Sequence, residues 1–140
     1  MNQQQLINLA FTAADNAYAP YSNYKVGACL LCKDGNYFLG ANIENASYGA
    51  TNCAERSAVF AAYSYGYRKD DFDTLCIVCY GKTIAAPCGI CRQVLSELLN
   101  QDTPIVLANK ENSMVTTIAE LLPMHKKGHM RIHLHSAYIL

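Results

Sequence analysis

Apolar side chains at Leu6, Ile7, Leu9, Ala10, Ala13, Ala14 and Ala17 fall on one stripe at helical spacing, so an amphipathic helix is predicted over residues 3–18, stopped by Pro20. The period then changes. Residues 24–31 and 37–41 read as strands joined by Lys33-Asp34-Gly35-Asn36, because Asp-Gly between apolar runs is a strong hairpin signal, and this pair is expected at a sheet edge. Residues 42–47 carry neither period and gather Asn42, Glu44 and Asn45 into a short polar loop, the kind of segment on which binding groups sit. A second helix is predicted from Cys53 to Tyr65. Residues 75–80 form a continuous apolar run, as expected for a central strand covered on both faces. A helix from Cys88 to Leu99, a short buried strand over 104–108 and a short helix over 116–122, ended by Pro123, complete the pattern. Residues 130–134 alternate apolar with basic or His residues and read as a half-exposed strand or a loose tail. Helices alternating with short apolar strands predict a layered α/β domain over 1–123, with 124–140 as a C-terminal extension packed on it or trailing from it.

Composition narrows the partners. The formal net charge is zero and no long Lys or Arg run occurs, so there is no electrostatic footprint for nucleic acid or a membrane surface, and a small neutral ligand fits better. The first fifteen residues lack the cationic flank and apolar run of a signal peptide, and no apolar stretch approaches the roughly 18–20 residues that span a bilayer. A soluble cytoplasmic protein is expected. Seven cysteines without an export signal favour reduced thiols or thiolate ligands over disulfides. All four histidines lie at or beyond His125, so a metal or acid–base site built from the preceding residues must use Cys, Asp and Glu.

Three Cys-x-x-Cys pairs are present, Cys29/Cys32, Cys76/Cys79 and Cys88/Cys91. A zinc ribbon or redox framework would be one reading of all three, but local geometry separates them. Residues three apart on a strand point to opposite faces, so the first two pairs are expected to be small buried hydrophobes. Residues i and i+3 at a helix start lie on one side, so Cys88 and Cys91 converge beside Pro87, whose missing N–H costs nothing there.

Cys53 alone would be read as structural, and Glu55 alone as an acid near the positive end of a helix. Together with Pro87-Cys88-x-x-Cys91, the Cys53-Ala54-Glu55 stretch resembles the known signature of zinc deaminases, with Cys in place of the usual first His. Three thiolates leave the fourth position of a tetrahedral Zn²⁺ open, as in a catalytic site. Three thiolates and one Zn²⁺ carry about minus one charge, which calls for compensation. Two helix N-termini would supply about half a positive charge each, and Arg56 or Arg92 could donate to the sulfurs unless each is simply an exposed helix residue.

Tyr21-Ser22-Asn23-Tyr24-Lys25-Val26-Gly27-Ala28, Asn42-Ile43-Glu44-Asn45-Ala46, Asn52-Cys53-Ala54-Glu55-Arg56 and Pro87-Cys88-Gly89-Ile90-Cys91-Arg92-Gln93 resemble, in order and spacing, the successive motifs of the small homotetrameric cytidine deaminases. The resemblance covers residues 1–123. It implies a three-layer α/β/α fold with a mixed five-stranded sheet and active sites shared between four subunits. It implies one Zn²⁺ per chain on Cys53, Cys88 and Cys91, with Glu55 as the proton shuttle; Arg56 as a partner of the sulfurs follows from the charge balance above. It also implies Asn42 and Glu44 on the ribose hydroxyls, and Tyr24, Tyr48 and Ala54 at the substrate, Tyr48 being lent to a neighbouring subunit. The implied reaction is hydrolytic deamination of cytidine and 2′-deoxycytidine in pyrimidine salvage, using a zinc-activated water.

Residues 124–140 depart from the family. Met124-His125-Lys126-Lys127 follows Leu121-Leu122-Pro123 where the family has a nearby Phe over the substrate, and this stretch holds Lys126, Lys127, Arg131 and four histidines without an acid. A solvated tail is the ordinary reading of such a run; anion binding, or a second metal on His133 and His135, is the alternative. Three other functions remain open at this point: a deaminase of a nucleoside-like antibiotic, a polynucleotide-editing deaminase, which the neutral charge argues against, and a structural zinc module, which would need four closed ligands.

Overall fold

The computed structural model describes residues 1–123. The apolar runs become a five-stranded sheet: β1 Val26–Cys32, β2 Tyr37–Ala41, β3 Phe72–Cys79, β4 Ile105–Ala108 and β5 Ser113–Thr116. Their order is β2-β1-β3-β4-β5, with β3 and β4 parallel and every other neighbouring pair antiparallel. The β1–β2 hairpin lies at one edge and β3 at the centre, as their patterns predict.

Strand alternation sorts the side chains onto two faces. Helix α1, Gln3–Ala14, buries Leu6, Ile7, Ala10, Phe11 and Ala14 against Cys29, Cys76, Val78, Val106 and Ala108 on one face. On the other, α2 (Ala54–Ser64), α3 (Gly89–Leu98) and α4 (Ile118–Leu121) deliver Ala58, Val59, Ala62, Leu95 and Ile118 to Ala28, Leu30, Leu75, Ile77, Ile105 and Leu107. The result is the expected three-layer α/β/α arrangement with a mixed sheet. Two glycines let the helices approach: a Cβ on Gly27 would lie 2.0 Å from the Ala10 carbonyl oxygen, and one on Gly40 2.3 Å from that of Ala54. The second approach seats the first turn of α2, which carries Glu55, directly on β2.

Four boundaries differ from the pattern. Helix α1 ends at Ala14 rather than 18, because Tyr18 is drawn away to bridge residue 43; its N–H donates to the Asn42 carbonyl and its own carbonyl accepts from Glu44. Strand β1 starts at Val26 rather than Tyr24, since the Tyr24 backbone is engaged by side chains. Strand β3 starts three residues before 75, where exposed Asp73 hides the apolar run. Residues 113–116 form a strand the pattern did not reveal, and the helix read over 116–122 shrinks to four residues capped by Thr117. The strand-or-tail reading of 130–134, the His133/His135 pair and the missing Phe lie outside the described residues. Among the described residues no helix is long and apolar enough to cross a membrane.

Candidate active site

Cys53 and Cys88 are each the residue that caps the N-terminus of a helix, α2 and α3 respectively, and neither side chain makes a capping hydrogen bond. Both thiols are therefore free to face each other at the joint end of two helix dipoles. Cys91, one turn into α3, is fully buried and completes the group. The Sγ atoms of Cys53 and Cys88 are 3.9 Å apart, those of Cys88 and Cys91 3.2 Å, and all three lie within 4.8 Å of one another. Tetrahedral Zn²⁺ with bonds of about 2.3 Å would set its sulfurs about 3.8 Å apart, so the donor set fits that ion with sub-ångström adjustment. Arg56 donates from Nη2 to Cys53 Sγ at 3.4 Å. Hydrogen bonding from Cys91, opposed by burial and helped by Arg56, pulls the Cys53 thiol down to about 5.

Arg92 does not reach the sulfurs. Its Nε donates to the Pro87 carbonyl at 2.8 Å and its Nη1 to that of Leu121 at 2.8 Å, tying α4 to the residue before Cys88. Of the two candidate arginines only Arg56 is in place to share the thiolate charge.

Glu55 follows Cys53 by two residues and is 4 % exposed. Burial pushes its carboxyl up to about 7. It shares a cleft of about 340 Å³ with Tyr24, Asn42, Glu44, Cys53, Ala54 and Cys88. Six of the expected site residues therefore meet Glu55 in one concavity.

In the same cleft, Asn42 and Glu44 are anchored rather than loose. Asn42 Oδ1 accepts from Val26 N–H at 2.9 Å and its Nδ2 donates to the Tyr24 carbonyl at 2.8 Å. Glu44 Oε1 accepts from the N–H groups of Tyr21 and Ser22 at 3.0 and 3.1 Å, and Oε2 accepts from the Ser22 hydroxyl. These bonds, the Ser22 hydroxyl first, hold the Glu44 carboxyl below its ordinary range. The Tyr24 hydroxyl finds its partner in Cys79, and burial together with that contact pushes it up to about 12. The Cys79 thiol donates in turn to the Thr83 carbonyl at 3.3 Å. Tyr48 stands apart, 81 % exposed, beside Tyr21, Glu44 and Thr51 in an adjoining cleft.

Ser22, Ala85 and Ala86 also line the main cleft and were not singled out from the sequence. Ala85 and Ala86 directly precede Pro87-Cys88, which is a usable positional signal; Ser22 is legible only once its hydroxyl is seen on Glu44. The remaining cysteines follow strand geometry. Cys29 and Cys76 lie in the α1-side core and Cys32 in the other, and burial pushes Cys29 and Cys76 to about 12 and Cys32 to about 11.

Three thiols at the joined N-termini of two helices, a buried carboxyl two residues from the first, and an α/β/α frame define a zinc-binding deaminase domain. Residues 1–107 match the family described as the cytidine and deoxycytidylate deaminase zinc-binding region. The chain belongs to that family. It is 51 % identical over 124 residues to the cytidine deaminase of Halalkalibacterium halodurans, spanning 88 % of this chain and 92 % of the relative. It is 44 % identical to that of Sporosarcina psychrophila, with 88 % and 90 % covered. The crystal structure of cytidine deaminase from Burkholderia pseudomallei superposes with a TM-score of 0.87 at 46 % identity, over 90 % of this chain and 100 % of that one. The family's zinc-binding region and the three-cysteine cluster fit one Zn²⁺ per chain.

Proposed function

We propose that this chain hydrolyses cytidine and 2′-deoxycytidine to uridine and 2′-deoxyuridine with release of ammonia, in pyrimidine salvage, and that residues 1–123 are the catalytic domain. The observation that carries this reading is the Glu55 carboxyl, buried beside the three-thiol group in a cleft that Asn42 and Glu44 also line. Cys53, Cys88 and Cys91 would hold the zinc, which supplies a water of lowered pKa as nucleophile. Glu55, with its proton affinity raised towards neutrality by burial, takes one proton from the attacking water and gives it to N3 of the pyrimidine, then takes the remaining proton of the added hydroxyl and gives it to the leaving amine. Water adds at C4, the C4–N bond breaks, and the net change is one water consumed and one ammonia released.

Tyr24 offers its ring to the base and Ala54 the floor of the cleft next to Glu55. Asn42 and Glu44 take the ribose hydroxyls. Arg56 and the two helix N-termini offset the thiolate charge. The exposed Tyr48, together with exposed Phe60 and Ile90, supports a homotetramer in which Tyr48 reaches a neighbouring subunit's site, and the compartment inferred from the lack of a signal-peptide pattern is the cytoplasm. Sedimentation at micromolar concentration tests the assembly, a monomer being the contrary result.

The direct test is ammonia release from cytidine, 2′-deoxycytidine and single-stranded RNA by protein of measured zinc content, with Glu55→Gln alongside. Turnover of the free nucleosides that falls about 10²–10⁴-fold in zinc-loaded Glu55→Gln supports both substrate class and shuttle. One zinc per chain without nucleoside turnover would point to a different deaminase substrate or a structural metal.

A further inference from the structure

We propose that Ser22 is a positioning residue for sugar recognition, its hydroxyl orienting the Glu44 carboxylate so that the segment 21–26 sets the ribose end of the cleft. This inference rests on the reading that Asn42 and Glu44 bind the ribose hydroxyls.

The hydrogen bonds around Ser22 have a fixed sense. The Tyr24 N–H donates to Ser22 Oγ at 3.1 Å, occupying a lone pair, and the single hydroxyl proton goes to Glu44 Oε2. With Oε1 held by the Tyr21 and Ser22 N–H groups, both oxygens of Glu44 are pinned by consecutive residues. A carboxylate has about four acceptor positions, and three are used here. One remains, on a side chain that lines the cleft and cannot turn without breaking bonds at both oxygens.

Asn42 is treated alike by the other end of the same segment. Val26 N–H satisfies its Oδ1 and the Tyr24 carbonyl takes one Nδ2 proton, leaving the second amide proton. The pair thus presents one acceptor and one donor, the complement of two neighbouring sugar hydroxyls. Tyr24 serves both anchors, through its N–H to Ser22 and its carbonyl to Asn42. The chain makes this possible at Asn23, whose φ of 56° is left-handed, a conformation Asn tolerates better than most residues. Segment 21–26 therefore fixes the orientation of the two sugar-binding side chains, while Cys53, Glu55 and Cys88 belong to other elements.

Ser22→Ala removes the bond at Oε2 together with the acceptor of the Tyr24 N–H, and leaves Glu44 held through Oε1 alone. The test compares cytidine with 2′,3′-dideoxycytidine, which lacks the 2′ and 3′ hydroxyls, for wild type, Ser22→Ala, Ser22→Thr and Glu44→Gln, all with zinc content measured. The expected result for Ser22→Ala is a fall in kcat/KM for cytidine of about tenfold, carried by KM, with the dideoxynucleoside changed less than about twofold. Ser22→Thr, which keeps a hydroxyl, recovers most of the loss. An equal loss on both substrates would make Ser22 merely structural and overturn the proposal, as would no loss on cytidine. If Glu44→Gln itself leaves the ratio of the two substrates unchanged, the ribose reading beneath the proposal fails. If Glu44→Gln lowers that ratio and Ser22→Ala does not, the proposal alone fails.

Discussion

Cys88/Cys91 and Cys29/Cys32 share one spacing and have opposite fates. At the start of α3, two thiols three residues apart converge to 3.2 Å and meet Cys53 from a second helix. In β1 the same spacing sends Cys29 to the α1 side and Cys32 to the other face of the sheet, each among apolar neighbours. Electrostatics follow geometry. Cys53 is pulled towards the thiolate, while burial pushes Cys29 and Cys76 to about 12 and Cys32 to about 11. A Cys-x-x-Cys string is therefore a metal signal only on a backbone that turns both side chains to one side.

This contrast can be broken most severely at the helix start. Cys88→Ala should cost zinc affinity more than the roughly 100-fold typical of outer partners and abolish turnover; metal analysis after dialysis checks it, and retained stoichiometric zinc would be the contrary result. Arg56→Ala should weaken zinc retention about 10–100-fold, read by competition with a chromophoric chelator. Unchanged zinc content and turnover would remove Arg56 from the site.

On the strand side, Cys76→Ala should leave zinc stoichiometry intact and lower stability by about 1 kcal/mol through a small core void, measured by urea unfolding. Loss of metal in that variant would mean the strand thiols are not simply core. The smallest effect is in alkaline pH. Cys29 and Cys76 titrate near 12 in the folded chain against an ordinary thiol value of 9.0, so they stay neutral when the unfolded chain has begun to ionise. Their contribution is fully present below about pH 9 and is lost as pH rises towards 12. A Cys29→Ala, Cys76→Ala double variant should show a shallower fall in unfolding free energy across that window; identical slopes would speak against burial as the cause.

Legibility tracked how local each feature is. The stripe of α1, the Asp-Gly hairpin and the apolar run of β3 are written in consecutive residues and appear in the fold. Strand β5 escaped because Ser113, Met114 and Val115 are exposed and only Thr116 is buried, so no burial period marks it; its partner β4 makes it a strand. The early end of α1 is likewise imposed from outside, by residues 42–44 pairing with Tyr18.

Within the site, residue types and spacing sufficed for Cys53, Glu55, Cys88 and Cys91, because a helix start converts spacing into direction and thiols with a carboxyl permit few chemistries. The roles of Arg56 and Arg92 could not be divided that way. Both follow a helix-start cysteine, and only the packing of α4 gives Arg92 the Leu121 carbonyl while Arg56 keeps the sulfur. Ser22 and Glu44 are 22 residues apart, and their bond exists because the antiparallel pairing of β1 with β2 brings segment 21–26 beside the loop after β2. Local chain geometry thus settled which atoms can do chemistry, whereas long-range packing decided how they are held, since hydrogen-bond partners distant in sequence leave no period to read.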